Sequence, residues 1–335
     1  MRPATLKRTA RLITSTSHTS RARPSLYSSR KMTTATFKYI TAGTYDPEAT
    51  APFAKAWTKV DNGGHSFTLS DHRRSVADLR EQPEPFHTDL SGFSFHHAPA
   101  KEKDFTDDAT IRKGYYAEVE QLLRSKLPGV KKVVIFDHTV RRREKTSPRQ
   151  PVQQVHIDQT PASAAARVRR HLPADEAEEL LKGRYQIINV WRPIGHAASD
   201  FPLAVVDWRT MAPEDLVNTD LLYPVRQEGQ DDDDRGKEVL PTNGHGGNPT
   251  DGYEVRGETY GISANDKHKF YYVKDMTPEE ALFLKIFDSR GQGQPNGKEG
   301  VAIGSAHTAF FDEQTPKDAP GRQSIEVRCL VFYDN

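Results

Sequence analysis

Apolar residues recur at helical spacing in three stretches of the chain. The first covers residues 111–127, where apolar positions lie three or four residues apart until Pro128 and the glycine after it end the pattern. The second covers residues 163–181 and is interrupted by Pro173, which cannot continue a helix. In the third, residues 278–286, a proline stands where the first helical turn would begin. We therefore predict a helix in each stretch.

Most of the chain after residue 131 instead shows short runs of β-branched and aromatic residues separated by turn-forming residues. Predicted strands cover residues 132–140, 152–159, 185–191, 203–208, 258–263, 270–273, 301–306 and 324–333. So many strands without regular helical crossovers argue against a Rossmann fold or a TIM barrel. The pattern predicts a mainly β fold with flanking helices, in a closed or double-layered antiparallel architecture such as a jelly roll.

Composition divides the chain into a basic N-terminal segment and one folded domain. The first 31 residues contain eight Arg or Lys, many Ser and Thr, and no acidic residue. We predict that residues 1–32 form a disordered or targeting segment; the location is mitochondrial if this is a transit peptide, and cytoplasmic otherwise. Residues 33–335 are predicted to form a single jelly-roll domain. A run of four Asp and several Gly predict a flexible insertion at about residues 226–257.

The overall charge and the cysteine content exclude several classes of partner and site. A formal net charge of +1 gives no electrostatic reason to expect nucleic acid or an anionic membrane as partner. No apolar run approaches the roughly 20 residues that a membrane-spanning helix needs. The single cysteine, Cys329, excludes an internal disulfide framework and a cysteine-based zinc cluster, and its strand context predicts burial.

Two His-x-Asp triplets are candidates for a metal site. They are His156-Ile157-Asp158 and His87-Thr88-Asp89. On a strand, residues i and i+2 point to the same side, so both side chains can bind one ion. We favour the triplet at His156 because residues 152–155 lead into it as a strand, whereas His87 follows a proline-containing loop. The alternative for His87 is a hydrogen-bonded surface turn.

A third ligand has to come from later in the chain. The candidates are His171, His196, His245, His268 and His307. His307 is favoured because it follows a stretch of small residues that leaves room for a metal, whereas His268 lies between two lysines and is expected at the surface. Two histidines and one carboxylate on one side of Fe(II) leave positions open for a co-substrate and O₂.

Alternation along residues 322–328 puts Arg322, Ser324, Glu326 and Arg328 on one face of the predicted last strand. A guanidinium with a hydroxyl beside it can hold the far carboxylate of 2-oxoglutarate in a bidentate pair. A strand with a simple solvent-facing side would show the same pattern. Asn189 is a further candidate for binding an acidic co-substrate or substrate, because it lies on a strand whose polar residues can line a pocket.

Several motifs in the same order resemble a fungal family of hydroxylases and desaturases that includes AsaB and gibberellin desaturase and is related to cephalosporin methoxylase. They lie at residues 136–141, 155–161, 189–193, 202–204, 307–310 and 322–328, and the similarity runs from about residue 34 to the last residue. The resemblance implies a double-stranded β-helix, a cupin-like jelly roll. It also implies iron- and 2-oxoglutarate-dependent hydroxylation or desaturation of a small organic molecule, with O₂, in secondary metabolism.

The resulting hypothesis is a dioxygenase with Fe(II) held by His156, Asp158 and His307. Arg322 and Ser324, with Arg328 or Asn189 as further candidates, would bind 2-oxoglutarate. Two alternatives remain open. A different metal at the same ligands would give an isomerase, lyase or hydrolase, and a chain that had lost the metal would be a non-catalytic binding protein.

Overall fold

The computed structural model describes residues 32–41, 55–61, 64–83, 85–143, 151–225 and 250–334. The predicted N-terminal segment, apart from its last residue, and residues 226–249 of the predicted insertion lie outside the described residues. The end of that insertion is described, and it is a turn at residues 250–252 that leads into a strand beginning at Tyr253.

Strands dominate the described residues and form two sheets. The strands are β1 (Met32–Ile40), β2 (Ala56–Lys59), β3 (Leu69–Asp78), β4 (Phe93–His97), β5 (Val130–Arg142), β6 (His156–Ile157), β7 (Tyr185–Pro193), β8 (Leu203–Val206), β9 (Leu216–Pro224), β10 (Tyr253–Ile262), β11 (Phe270–Tyr272), β12 (Glu280–Asp288), β13 (His307–Ala309) and β14 (Gln323–Tyr333). One sheet has nine strands in the order β1-β3-β11-β8-β13-β6-β10-β9-β2, and the other has five in the order β4-β12-β7-β14-β5. Most neighbouring strands are antiparallel. The predicted mainly β, jelly-roll class of fold is confirmed.

The helices are short and lie outside the sheets. They are α1 (Thr88–Ser91), α2 (Asp108–Thr110), a π-helical segment (Ile111–Tyr115), α3 (Tyr116–Lys126), α4 (Pro161–His171) and α5 (Ala174–Lys182), with 3-10 turns at Leu79–Glu81, Trp208–Thr210 and Pro213–Asp215. The Thr160 hydroxyl accepts a hydrogen bond from the Ser163 amide, which fixes the start of α4, and Pro173 separates α4 from α5 as predicted. In the part of the chain that the structure describes, no helix is long and apolar enough to cross a membrane.

The helix predicted at residues 278–286 is wrong, because this segment is β12, which lies between β4 and β7 in the five-stranded sheet. Leu282 packs into the core between the two sheets, whereas Phe283 packs on the opposite face, toward α3. A strand buried on both faces has a continuous apolar run without alternation. Periodicity alone therefore does not distinguish it from a buried helix.

The strands predicted at residues 152–159 and 301–306 are also different in the structure. Only His156–Ile157 and, after the second segment, His307–Ala309 are in strands. The backbone amides at residues 301–306 do not pair with a single neighbouring strand, but bond to two different elements. The amide of Ala302 donates to the Asp89 carbonyl of α1, and the amide of Ser305 donates to the Lys285 carbonyl of β12.

The two faces of β14 determine where a site can form. Ile325, Val327 and the fully buried Cys329 pack with Val119 and Leu123 of α3. The alternate residues of β14 therefore face the nine-stranded sheet, in the space between the two layers.

Candidate metal centre

Three candidate metal-ligand side chains meet on the inner side of the nine-stranded sheet. His156 begins β6, Asp158 follows that strand directly, and His307 begins β13, where it lies opposite His156 in the antiparallel register. One ligand atom from each lies within 4.8 Å of the other two. The Asp158 Oδ1 atom is 3.3 Å from Nε2 of His156 and 3.7 Å from Nε2 of His307. The structure thus brings together the three residues that the sequence analysis selected.

Hydrogen bonds to the far side of each ligand fix its orientation. The Nδ1 atom of His156 lies 2.8 Å from the Gln154 carbonyl oxygen, and Nδ1 of His307 lies 3.0 Å from that of Ser305. A carbonyl only accepts, so each Nδ1 carries a proton, and Nε2 is the nitrogen of each ring that remains to bind a metal. The Asn189 amide donates to Oδ2 of Asp158 at 2.9 Å, which leaves Oδ1 on the side of both histidines.

The electrostatics keep this carboxylate ionised. Burial alone would raise the pKa of Asp158, but the hydrogen bond from His156 and the charges of His307 and Arg328 outweigh it and lower that pKa. Burial, together with the charge of His156, lowers the pKa of His307, whereas the hydrogen bond and the charge of Asp158 outweigh burial and raise the pKa of His156. Metal ligands have to be deprotonated, so a bound metal would take the place of the proton between His156 and Asp158. Two imidazole nitrogens and one carboxylate oxygen on the same side are the donor set of non-haem Fe(II) sites, so these residues fit such an ion.

The other candidate histidines are not part of this cluster. His171 stacks on Phe136, with 4.9 Å between the ring centroids, and His196 bonds to the neighbouring Ala197 carbonyl. His245 lies outside the described residues. His268 is only 5% exposed, so the expected surface position is wrong. Its ring bridges the Tyr39 hydroxyl and the Asp215 carboxylate at 3.1 and 2.9 Å, and these two partners outweigh the flanking lysines.

A narrow cavity of about 70 Å³ lies between the ligand cluster and the five-stranded sheet. Ser324, Glu326 and Arg328 share one face of β14 and line this cavity, together with Arg322, which precedes the strand by one residue instead of lying on it as predicted. Trp191 of β7 and Leu203 of β8 complete its apolar wall. A carboxylate that enters this space would meet guanidinium groups on one side and the metal ligands on the other.

The two arginines in this cavity differ in their partners. The Arg328 guanidinium donates to the carboxylates of Asp137 and Glu326, at 3.0 and 2.7 Å. Arg322 is 4% exposed, and its Nη1 donates to the Phe201 carbonyl at 2.6 Å. None of the carboxylates in the described ranges forms an ion pair with Arg322. Burial and the charge of Arg141 lower the pKa of Arg322 to about 10, and the charges of Asp200 and Glu326 offset this effect only in part.

A second, larger cavity of about 630 Å³ adjoins the same ligands; we call it the chamber. It shares His156 and Asp158 with the narrow cavity and extends to β2, β9, β10 and α4. Cavities of this volume accommodate drug-sized molecules. The sequence analysis missed the contribution of α4, although Ser163, Arg167 and Arg170 have the spacing of one helical face.

Comparisons with known proteins agree with this site. Residues 37–332 match the family described as "Oxidoreductase/YMDC permease-like domain". The hydroxylase/desaturase efuI of Hormonema carpetanum is 31% identical over 78% of this chain and 83% of its own length. The Fe(II)/2-oxoglutarate-dependent dioxygenase nvfI of Aspergillus novofumigatus is 32% identical over 80% of this chain and 85% of its own. Aspirochlorine biosynthesis protein N of Aspergillus oryzae is 40% identical over 53% of this chain and 60% of that protein.

The fold has a solved counterpart as well. The structure of the iron and alpha-ketoglutarate-dependent endoperoxidase NvfI matches with a TM-score of 0.66 and 26% identity, over 92% of this chain and 100% of that one. Its fold is therefore that of this chain over nearly the whole length. Sequence similarity across most of the chain, the shared fold and the clustered ligands agree with one another, and the chain belongs to the fungal hydroxylase/desaturase family of oxidoreductases.

Proposed function

We propose that this protein is an Fe(II)- and 2-oxoglutarate-dependent dioxygenase that hydroxylates or desaturates a small organic molecule in fungal secondary metabolism. One observation carries the proposal. A cluster of two histidines and one carboxylate shares a cavity with a buried arginine whose guanidinium forms no ion pair among the described residues. A dicarboxylate that binds the ion at one end needs a cation of this kind at the other.

In this proposal three side chains hold the metal ion, and neighbouring residues hold 2-oxoglutarate and the substrate. His156, Asp158 and His307 bind Fe(II), which together with 2-oxoglutarate supplies the activation of O₂ needed to remove hydrogen from an unactivated C–H bond. The carbonyls of residues 154 and 305 keep each imidazole in the tautomer that presents Nε2. The chain itself contributes orientation, charge and the exclusion of water.

Arg322 and Ser324 are proposed to hold the far carboxylate of 2-oxoglutarate. Arg322 is favoured over Arg328 because the guanidinium of Arg328 is already shared by two carboxylates, whereas that of Arg322 has only a carbonyl acceptor. Ser324 is 2% exposed and lines the same cavity, so its hydroxyl can add a hydrogen bond to the same group.

Asn189 is proposed to act on the metal ligand more than on the co-substrate. Its amide group is committed to Oδ2 of Asp158. Its Oδ1 atom is buried and has no hydrogen-bond partner within the described ranges, and Asn189 is not among the residues that line the narrow cavity. We therefore assign it as a positioning residue for Asp158.

The proposal can be tested by anaerobic titration of the purified protein with Fe(II) and 2-oxoglutarate, followed by the visible charge-transfer band of the chelate. We expect a saturable band for the wild type. Arg322→Met removes a charge-assisted hydrogen bond and should weaken 2-oxoglutarate binding by about tenfold to a hundredfold. Arg169→Met is the matched control, because Arg169 is exposed on α4 and pairs with Glu178.

Other results would contradict the proposal in recognisable ways. A protein that binds metal but gives no band with 2-oxoglutarate would favour the isomerase, lyase or hydrolase alternative, whose turnover would persist without O₂. A purified protein that binds no metal at all would favour a non-catalytic role. A larger loss for Arg328→Met than for Arg322→Met would transfer the anchoring role to Arg328.

A further inference from the structure

The chamber contains a buried lysine that the proposed reaction does not use. Lys59 ends β2, is only 7% exposed, and lines the chamber. Its Nζ lies 4.0 Å from the centroid of the Tyr253 ring. Within the described residues, no carboxylate pairs with it. Lysine is almost never buried to this degree unless it is paired, because desolvation of an ammonium group is costly.

Lys59 differs from the other charged residues of the chamber in having no ionic partner among the described residues. The other cationic residues that line the chamber are Arg141, Arg167, Arg170, Arg256 and Arg328. Each of these makes a polar or electrostatic interaction of its own; Arg256, for example, pairs with Glu254 at 3.0 Å. Among the described lining residues Asp158 is the one carboxylate, and it faces the metal ligands. The chamber therefore has a positive lining, and such a cavity concentrates anions.

The chamber also has an apolar part. Phe136, Val152 and Leu221 line it, together with the ring of Tyr223. With a volume of about 630 Å³ it can take a molecule with a ring system, and not only a small ion. The chemistry of the lining thus matches an organic acid that has a hydrophobic body.

We propose that the substrate of the dioxygenase is an organic acid whose anionic group binds the Lys59 ammonium while its apolar body lies along the chamber toward the metal ligands. That the bound acid is a dioxygenase substrate rests on the proposed function, whereas the binding of an anion at Lys59 does not. An anion at Lys59 would give this ammonium the partner that the described residues do not provide.

Two fluorescent probes with the same ring skeleton test the proposal. Anilinonaphthalene sulfonate is anionic, and N-phenylnaphthylamine is its neutral counterpart; both become fluorescent in apolar sites. They are titrated into the full chain under argon with Fe(II) and 2-oxoglutarate present. We expect the anionic probe to bind more tightly than the neutral one, and naphthoate to displace it where naphthamide does not.

Substitutions then locate the binding. Lys59→Met should weaken binding of the anionic probe by about tenfold, the size of one charge-assisted hydrogen bond, and leave the neutral probe unchanged. Lys59→Arg should retain the affinity, which separates loss of charge from loss of folding. Lys126→Met is the control, because Lys126 is exposed on α3 and does not line the chamber.

Equal binding of the two probes, or an anionic-probe affinity that Lys59→Met leaves unchanged, would overturn the proposal. The probe titrations are repeated without Fe(II) and 2-oxoglutarate, and their result is compared with the charge-transfer titration. Together they separate the anion-site proposal from the dioxygenase proposal. If the protein fails to form the charge-transfer band but still shows the Lys59-dependent preference for the anionic probe, the dioxygenase proposal fails and the anion site stands. If the band forms and the preference is absent, the anion site fails alone.

Discussion

Two triplets of the same type, His-x-Asp, lie in contrasting surroundings in this molecule. His156 and Asp158 lie on and just after a strand, so both side chains point to one side. His87 precedes α1 and Asp89 lies within it, where residues two apart point in different directions. The Asp89 carboxylate accepts hydrogen bonds from Arg184 and Lys285, at 2.6 and 2.9 Å.

The difference extends to the charges around each carboxylate. Asp89 and Asp288 share two cations, Arg184 and Lys285, and both Lys285 and Asp288 are fully buried. Charge is balanced within this group, so it stabilises packing between α1, β7 and β12. The Asp158 carboxylate instead lies within 4.8 Å of one nitrogen from each of two imidazoles, beside a cavity. Two imidazoles and a carboxylate that converge in this way fit a metal ion, whereas matched buried charges fit a structural role.

The strongest test of this comparison is to remove one histidine from each triplet. His156→Ala deletes a metal ligand and should abolish both the charge-transfer band and iron-dependent succinate formation. His87→Ala should leave both unchanged, because the structure places His87 at the start of α1 and not in the metal cluster. The two readouts are the charge-transfer band with Fe(II) and 2-oxoglutarate and the succinate formed from 2-oxoglutarate. Full turnover in the His156 variant would refute the ligand assignment.

The buried charge cluster around Asp89 predicts a pH-dependent stability, because Asp288 belongs to it. Burial opposes ionisation of Asp288, but the charges of Lys285 and Arg184 outweigh it and lower its pKa from 3.8 to about 2. The ionised form therefore stabilises the folded protein above pH 4, and this contribution is lost as the pH falls from about 4 toward 2. At neutral pH it amounts to about 2 kcal/mol of unfolding free energy.

Urea unfolding at several pH values measures this effect. Asp288→Asn should be less stable than the wild type at pH 7, and the difference should shrink below pH 4. Asp318→Asn is the control, because Asp318 is exposed and its substitution should change stability little. A gap between Asp288→Asn and the wild type that stays constant down to pH 2 would contradict the proposed source of the stabilisation.

The same contrast explains which parts of the molecule the sequence predicts. The ligand pair at His156 and the shared face of β14 follow from alternation, which is local information. The double burial of β12 does not, because it depends on which elements cover its two faces. The partners of Asp89 are about 95 and 196 positions away along the chain, so no local pattern shows them. The sequence likewise does not show that Lys59 lines a cavity, because that depends on residues from other elements.

The smallest expected effect concerns the hydrogen bond that orients Asp158. Asp89 has Arg184, Lys285 and Gln186 as side-chain partners, whereas outside the metal cluster Asp158 has the uncharged amide of Asn189. A cation there would compete with the metal for the carboxylate, while a neutral donor holds Oδ2 and leaves Oδ1 able to bind. Asn189→Ala should therefore weaken Fe(II) binding by about tenfold without unfolding the protein.

Fe(II) titration of the Asn189 variant, monitored together with its thermal unfolding, tests this role. Because a residue that only fills space would change stability and not metal affinity, the two measurements separate positioning from packing. Asn189→Gln keeps an amide but moves it, so it should restore packing without restoring full affinity. If Asn189→Ala binds Fe(II) as tightly as the wild type, Asp158 does not depend on this hydrogen bond. Its orientation would then come from the strand alone, and the two triplets would differ only in backbone geometry.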